Sequence, residues 1–223
     1  MKRQYLGDSK DSFKWDYLHF LTEKLGYHHL NIIWMMTADD NRSDGKTLPE
    51  RYPARPEILN FCKSLKTKHD PMMLTDLPAV TGAAYQNTLY KSNDNLTNSS
   101  RATYFSDVTI GCAQVLFLDP DNGFEPERSF SEKHVRYSDI ESLLRTVTPT
   151  SIITVFQHHR RKKFSEDFAH IQKRLPLGNS TAICWHSLMF VNISFSEETV
   201  HRVREVNREY ANGRPDAQLA LLD

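Results

Sequence analysis

The chain of 223 residues carries 28 Lys and Arg against 28 Asp and Glu, so its formal net charge at pH 7 is zero. This balance excludes a protein that holds nucleic acid through a uniformly basic surface, while leaving room for a local basic patch. Hydrophobic residues make up 39% of the chain and charged residues 25%. This composition and the absence of any linker predict a single globular domain over residues 1–223.

The cellular compartment is indicated by the cysteines and by the N-terminus. Cys62, Cys112 and Cys184 are far apart and lack metal-ligand spacing, which favours free thiols in a reducing compartment. The N-terminus has no apolar signal region, and no segment reaches the roughly eighteen apolar residues that span a bilayer. We therefore expect a cytoplasmic protein without a membrane partner.

The first half of the chain predicts a helix, a strand and a second helix. A cap at Asp8 or Ser9 and an apolar residue at every fourth position predict a helix to about Leu25. The apolar run over 31–37 predicts a buried strand. Pro56 suits the first position of a second helix, which is predicted to run to about Leu65. The range 75–101 is polar and rich in Asn and Ser, so it predicts a long surface loop or flap.

The second half of the chain alternates strands with helices. Strands are predicted over 115–118, 151–156 and within 182–193, and helices over 137–147, 161–175 and 197–211. This alternation implies a parallel or mostly parallel sheet with helices on both faces. The predicted fold class is therefore a single-domain α/β protein with a Rossmann-like, three-layer architecture.

Polar side chains follow three of the predicted strands. Right-handed crossovers bring the carboxyl ends of parallel strands to one edge of the sheet, and ligands bind outside that edge in open α/β sheets. The sequence therefore predicts a site there. Its members would be Asp39, Asp40, Asp119, Asp121, Asn122, Glu125, Gln157 and His158.

The acidic members of this set could act in two ways. Carboxylates gathered in one cleft repel one another unless a cation or a proton intervenes, and Asp119 with Asp121 offers oxygen ligands for Mg²⁺ or Mn²⁺. A carboxylate can also activate water without a metal, with Asn122 orienting that water. The candidate catalytic residues are Asp119, Asp121, Asn122, Asp39 and Asp8. Ordinary turn and capping chemistry is the structural alternative.

Two segments with positive charge could hold substrate phosphates. The helix start near Asp8 offers backbone amides and lysines to an anion, and a basic run follows the strand over 151–156. A capped helix and a solvated charged surface are the plain alternatives. The candidate substrate-binding residues are Lys10, Asp11, Lys14, Asp40, Glu125, Gln157, His158, Arg160, Arg161, Lys162 and Lys163.

These residues support a first hypothesis, a nucleic-acid-directed hydrolase in defence or repair whose partner is DNA. Attack at phosphorus would make it a nuclease that requires Mg²⁺ or Mn²⁺. Attack at the anomeric carbon would make it a base-excising DNA glycosylase, which needs no metal and must take its base out of the stack. No obligate protein partner is evident from the sequence.

Two motifs carry a family resemblance. The patterns Gly7-Asp8-x-Lys10-Asp11 and Leu118-Asp119-Pro120-Asp121-x-Gly123 resemble those of a family of small bacterial proteins without a settled activity. The resemblance spans most of the chain.

A more distant resemblance concerns methyltransferases. Leu118-Asp119-Pro120 after a strand is similar to the Asp-Pro-Pro-Tyr region of nucleic-acid methyltransferases, and Lys14-Trp15 resembles a helix of the methyltransferase-like three-Cys-motif partner proteins. This resemblance to methyltransferases implies an alternative function, that of an S-adenosylmethionine-dependent nucleic-acid methyltransferase. This chain has Thr37-Ala38-Asp39-Asp40 where such a site normally has a glycine-rich turn, so its cofactor loop would be divergent. A non-catalytic nucleic-acid-binding module is the third reading.

Overall fold

The computed structural model of the chain describes residues 2–38, 47–106, 108, 112–214 and 217–223. Its strands are β1 (His29–Trp34), β2 (Gln86–Tyr90), β3 (Val115–Asp119), β4 (Ile152–His158), β5 (Asn179–Trp185), β6 (Leu188–Ser194) and β7 (Ala220–Leu222). Its α-helices are α1 (Ser9–Leu25), α2 (Pro56–Lys68), α3 (Leu77–Thr81), α4 (Arg101–Ser106), α5 (Tyr137–Thr146), α6 (Phe164–Arg174) and α7 (Glu197–Asn212). None of these helices is both long and apolar enough to cross a membrane.

All the described strands belong to one sheet with the order β2-β1-β3-β4-β6-β5-β7. The four strands from β2 to β4 are parallel, whereas β6 runs antiparallel to β4 and β5, and β7 runs antiparallel to β5. The expectation of a mostly parallel sheet is therefore correct for one half only. The reason lies at His186 and Ser187, because a two-residue connection can join only antiparallel neighbours, whereas parallel strands need a long crossover.

Helices cover both faces of the sheet, as the sequence predicts. Along β3, Val115 and Phe117 face the cluster that contains the apolar side chains of α1, α2 and α7. Leu116 and Leu118 face the opposite cluster, with side chains of α4, α5 and α6. Because successive side chains of a strand point to opposite faces, this continuous apolar run is buried on both sides. The architecture is an α/β three-layer, Rossmann-like fold.

The first helix begins and ends where the sequence predicts. The Asp8 carboxylate caps α1 by accepting hydrogen bonds from the backbone N–H groups of Lys10 (2.9 Å) and Asp11 (3.0 Å). Gly26 ends the helix in the left-handed conformation, with φ of 69°, which glycine adopts without steric cost. Most of α1 is buried, including polar residues of its first two turns. It is therefore an internal helix that can carry polar side chains to the strand ends.

The range 75–101, which the sequence predicts as a long loop or flap, contains regular structure. The helix α3 and the strand β2 lie within it, and β2 pairs with β1 in the register Leu30↔Asn87. The strand escaped prediction because Gln86, Asn87 and Thr88 are polar. An edge strand is partly open to water, so it need not show a continuous apolar run.

We predict that Phe117→Ala lowers the free energy of unfolding by about 3–5 kcal/mol, because it removes a fully buried ring between the two layers of helices. Phe195→Ala is the matched control, since that ring is 37% exposed, and should cost less than about 1 kcal/mol. Urea unfolding followed by circular dichroism measures both values. Equal losses in the two variants would contradict the placement of β3 at the centre of the core.

Candidate functional site at the strand ends

The carboxyl ends of β1, β3 and β4 lie side by side, as the sequence predicts. Trp34 at the end of β1 pairs in register with Asp119 at the end of β3, and β3 is parallel to β4. The chain leaves β1 for β2 on one side and then crosses to β3 on the other. This reversal of direction is a topological switch point, outside which open α/β sheets bind ligands.

A buried ion cluster joins the start of α1 to the end of β3. The Lys14 Nζ atom lies 2.9 Å from Asp11 Oδ1 and 2.8 Å from Asp119 Oδ2. All three residues are almost fully buried, with 1–2% of their surface exposed. The Lys14 ammonium also lies 4.8 Å from the centre of the Phe156 ring, a favourable cation–π geometry.

The pKa values of this cluster follow from burial opposed by charge. Burial alone would lower the pKa of Lys14, but Asp11 and Asp119 raise it above its ordinary value, so the ammonium keeps its proton. Burial raises the pKa of Asp119 and of Asp11, and Lys14 offsets this only in part. The cluster is therefore held together by one cation that two desolvated carboxylates share.

Asp8 and Asp11 both have structural partners around this cluster. Asp8 is 5% exposed, and one of its carboxylate oxygens accepts the two capping hydrogen bonds of α1. The other carboxylate oxygen of Asp11 accepts a hydrogen bond from the backbone N–H of Gly7, at 2.8 Å. Burial raises the pKa of Asp8. The structure thus brings the N-terminal motif to the site mainly as a support for α1.

Asp121 is the more accessible carboxylate of the motif. It is half-buried, and it accepts a hydrogen bond from the Thr37 hydroxyl, which follows β1. Burial acts to raise the pKa of Asp121, but nearby positive charge and the Thr37 hydrogen bond together lower it below its ordinary value. Asn122 beside it is exposed. Sequence reasoning missed Thr37, which stands at the end of a strand with no motif to mark it.

His158 and Lys10 are both half-buried at the same edge. The ring of His158 packs edge-on against Phe156, with centroids 4.6 Å apart. Burial, together with the charges of Lys10 and Lys14, lowers the pKa of His158 to about 3. The imidazole is therefore neutral at physiological pH and can accept a hydrogen bond.

Gln157, Glu125 and Arg160 brace the connection between β3 and α5. Gln157 is fully buried, and its Oε1 atom accepts hydrogen bonds from the Phe124 N–H (2.8 Å) and from Arg160 (3.0 Å). Glu125 accepts a hydrogen bond from the N–H of Tyr137 at the start of α5, at 3.1 Å. These side chains are engaged within the fold, so their contacts indicate positioning rather than substrate binding.

The last part of the basic run is open to solvent. Arg161, Lys162 and Lys163 are exposed between β4 and α6. Asp39 and Asp40, which the sequence assigns to the site, lie outside the described residues. Within residues 2–38, 47–106, 108, 112–214 and 217–223, no three His, Cys, Asp or Glu side chains cluster so that they could hold a metal ion.

Comparison with known proteins gives a structural similarity but no sequence match. No protein-family model matches the chain, and no curated protein sequence matches it. Among solved structures, human methyltransferase-like protein 13 in complex with SAH aligns with a TM-score of 0.37 and 12% sequence identity. The alignment covers 90% of this chain and 91% of that chain.

We predict that Lys14→Met destabilises the protein by about 3–5 kcal/mol at pH 8, because it leaves Asp11 and Asp119 buried without a cation. The pKa values of these carboxyls, already raised, should rise further, so the folded state binds more protons than the unfolded state. Stability of the variant should therefore increase as the pH falls from 8 towards 5, and its difference from the wild type should shrink.

Lys10→Met is the control, since Lys10 precedes Lys14 by one helical turn and is only half-buried. Lys10→Met should lower the free energy of unfolding by less than about 1 kcal/mol at both pH values. Denaturant unfolding at pH 8 and pH 5 measures these differences. A Lys14→Met deficit that is the same at both pH values would contradict the buried ion cluster.

Proposed function

We propose that this chain is an S-adenosylmethionine-dependent methyltransferase that acts on nucleic acid and binds its cofactor in the crevice outside β1 and β3. The observation that carries the proposal is the reversal of strand order between β1 and β3, which opens a ligand crevice beside Thr37 and Asp121. The resemblance of Leu118-Asp119-Pro120 to the motif of nucleic-acid methyltransferases falls at the same point of the fold.

The burial of Asp119 and Asp8 favours this function over a hydrolase that uses either of them as its base. A base that activates water must reach that water with an unengaged oxygen. Asp119 is 1% exposed and paired with Lys14, and Asp8 is 5% exposed and caps α1. Both carboxylates are buried, so water could reach either one only if the surrounding side chains moved.

The residues at the crevice fit the charged part of the cofactor. S-adenosylmethionine carries a sulfonium and an ammonium group, both cationic, and the lowered pKa of Asp121 keeps a carboxylate ionised beside them. Lys10 supplies the opposite charge for the cofactor carboxylate. The described segment after β1 is Met35-Met36-Thr37-Ala38, without glycine, so this part of the cofactor loop differs from the glycine-rich type.

The cofactor, when bound, supplies an electrophilic methyl group, and the chain supplies positioning. Asp121, fixed by Thr37, orients the cationic end of the cofactor. The neutral imidazole of His158 can accept a hydrogen bond from the target base. Arg161, Lys162 and Lys163 present positive charge to the phosphate backbone at the same edge.

A hydrolase remains the second candidate because Asp121 is ionised and Asn122 beside it is exposed. Asp121 would activate water and Asn122 would orient it. In a metal-independent DNA glycosylase these two residues would carry that step. A nuclease would place Mg²⁺ or Mn²⁺ on Asp121 with a further carboxylate, for which the sequence offers Asp39 and Asp40.

We predict that the wild-type protein binds S-adenosylhomocysteine saturably in isothermal titration calorimetry, with a dissociation constant in the micromolar range. Asp121→Asn should weaken binding roughly tenfold, because it removes the negative charge that faces the ligand ammonium. Asp76→Asn is the control, since Asp76 is exposed and lies at the N-terminus of α3. No saturable heat at millimolar ligand would contradict the proposal.

The same preparation separates the two enzyme classes on end-labelled DNA. Transfer of a labelled methyl group, with intact strands after alkali, supports the methyltransferase. Alkali-dependent breaks that persist in EDTA would instead identify a glycosylase, and breaks that EDTA abolishes would identify a metal nuclease.

A further inference from the structure

A second cavity, of about 520 Å³, lies between α4 and α5, away from the crevice of the proposed methyltransferase. Two arginines line it: Arg101 from the start of α4 and Arg136, the residue before α5. Its wall also includes Ser138 and Ser142 of α5. A volume of this size lies within the range of small-molecule sites, about 300–1,000 Å³.

One carboxylate, that of Asp139, lines the cavity together with the two guanidinium groups, and only Arg101 pairs with it through its side chain. Arg101 is buried, forms an ion pair with Asp139 and donates a hydrogen bond to the carbonyl of His134 at 2.8 Å. The contacts of Arg136 are neutral: its Nη2 atom lies 2.7 Å from Asn98 Oδ1, and its guanidinium lies 5.2 Å from the centre of the Phe130 ring. The cavity therefore carries an excess of one positive charge.

Two donors at this site also lack acceptors. The Nε atoms of Arg101 and Arg136 are buried, and neither has a hydrogen-bond partner among the described residues. Buried donors without partners are unfavourable, and an anion that draws the guanidiniums towards it would relieve this. The N-terminus of α5, a helix of ten residues, adds the positive end of its dipole.

We propose that this cavity binds a phosphate group through Arg101 and Arg136. The planar guanidinium of Arg136 matches the oxygens of a phosphate and can donate two parallel hydrogen bonds, and Arg101 adds its positive charge and its Nε donor. Ser138 and Ser142 add hydroxyl groups along one side of the cavity. The volume leaves room for the remainder of a phosphate ester, so the ligand is either a free phosphate compound or the terminal phosphate of a nucleic acid.

The cavity is connected to the strand ends by the segment between β3 and α5. Asn122 N–H bonds to the carbonyl of Lys133 (3.0 Å), and Val135 N–H bonds to that of Gly123 (2.9 Å). The Arg101 contact with His134 lies on the same segment. A phosphate in the cavity would therefore order the segment that also carries Asp121, and this segment would couple the cavity to the crevice.

The test is isothermal titration calorimetry with inorganic phosphate at constant ionic strength, and with a short oligonucleotide that carries either a 5′-phosphate or a 5′-hydroxyl. We expect the wild type to bind a phosphate probe saturably. Arg136→Gln should weaken this binding at least about tenfold, because it removes a charged donor from the site.

Arg145→Gln is the matched control, since Arg145 lies on the same helix, is exposed and pairs with Glu141 at 2.7 Å. It should change the affinity less than about twofold, and circular dichroism should show that both variants are folded. Binding of inorganic phosphate and of the phosphorylated oligonucleotide alike supports a general phosphate site. Binding of the phosphorylated oligonucleotide alone supports a nucleic-acid end.

Two outcomes would overturn the proposal: no saturable binding of any phosphate probe, or an unchanged affinity in Arg136→Gln. Neither measurement involves S-adenosylhomocysteine. Failure of this site can therefore be told apart from failure of the proposed methyltransferase function.

Discussion

The arrangement of the strand ends depends on the buried ammonium of Lys14. Lys14 lies between Asp11 on its own helix and Asp119 on β3, two residues that are 108 positions apart in the chain, at distances of 2.9 and 2.8 Å. A buried charge without its partner is costly by several kcal/mol, so α1 and β3 must dock in this register. The N-terminal motif and the Asp-Pro-Asp motif thereby meet.

This ion cluster divides the acidic residues into two groups. Asp8, Asp11 and Asp119 are buried, and each is bonded to the helix or to Lys14. Asp121, two residues beyond the end of β3, is half-buried and more open to a ligand. The first group joins α1 to the end of β3, and Asp121 is bonded to Thr37 after β1. The backbone of Gly123 packs tightly against the side chain of Gln157. A Cβ atom at position 123 would lie only 2.1 Å from Gln157 Oε1, so only glycine fits there.

The sequence was sufficient to predict the parts of the fold with strong local signals. The apolar run of β3, the Asp8 cap and Gly26 end of α1, and the meeting of the strand ends all follow from local pattern and crossover rules. The edge strand β2 was missed because its exposed side chains are polar. The antiparallel half of the sheet is not predicted, because the turn at His186 and Ser187 between β5 and β6 contains no glycine or proline to mark it.

The roles of individual site residues were harder to predict than their location. Lys14 was expected to hold a substrate phosphate, but it neutralises Asp119 across a sequence separation of 105 residues. The sequence predicts that Gln157 and Glu125 contact substrate, whereas in the structure they accept hydrogen bonds from the backbone N–H groups of Phe124 and Tyr137. In each case the partner is distant in sequence, so spacing alone gives no signal. Arg101 and Arg136 carry no motif, and only the packing of α4 against α5 brings them together.

The most direct test of the central claim is backbone hydrogen exchange, measured by mass spectrometry with and without S-adenosylhomocysteine. A ligand in the crevice outside β1 and β3 should slow exchange both at residues 35–38 and at residues 121–123, because these two segments flank the crevice. Protection confined to other parts of the chain, or no change at saturating ligand, would contradict the account.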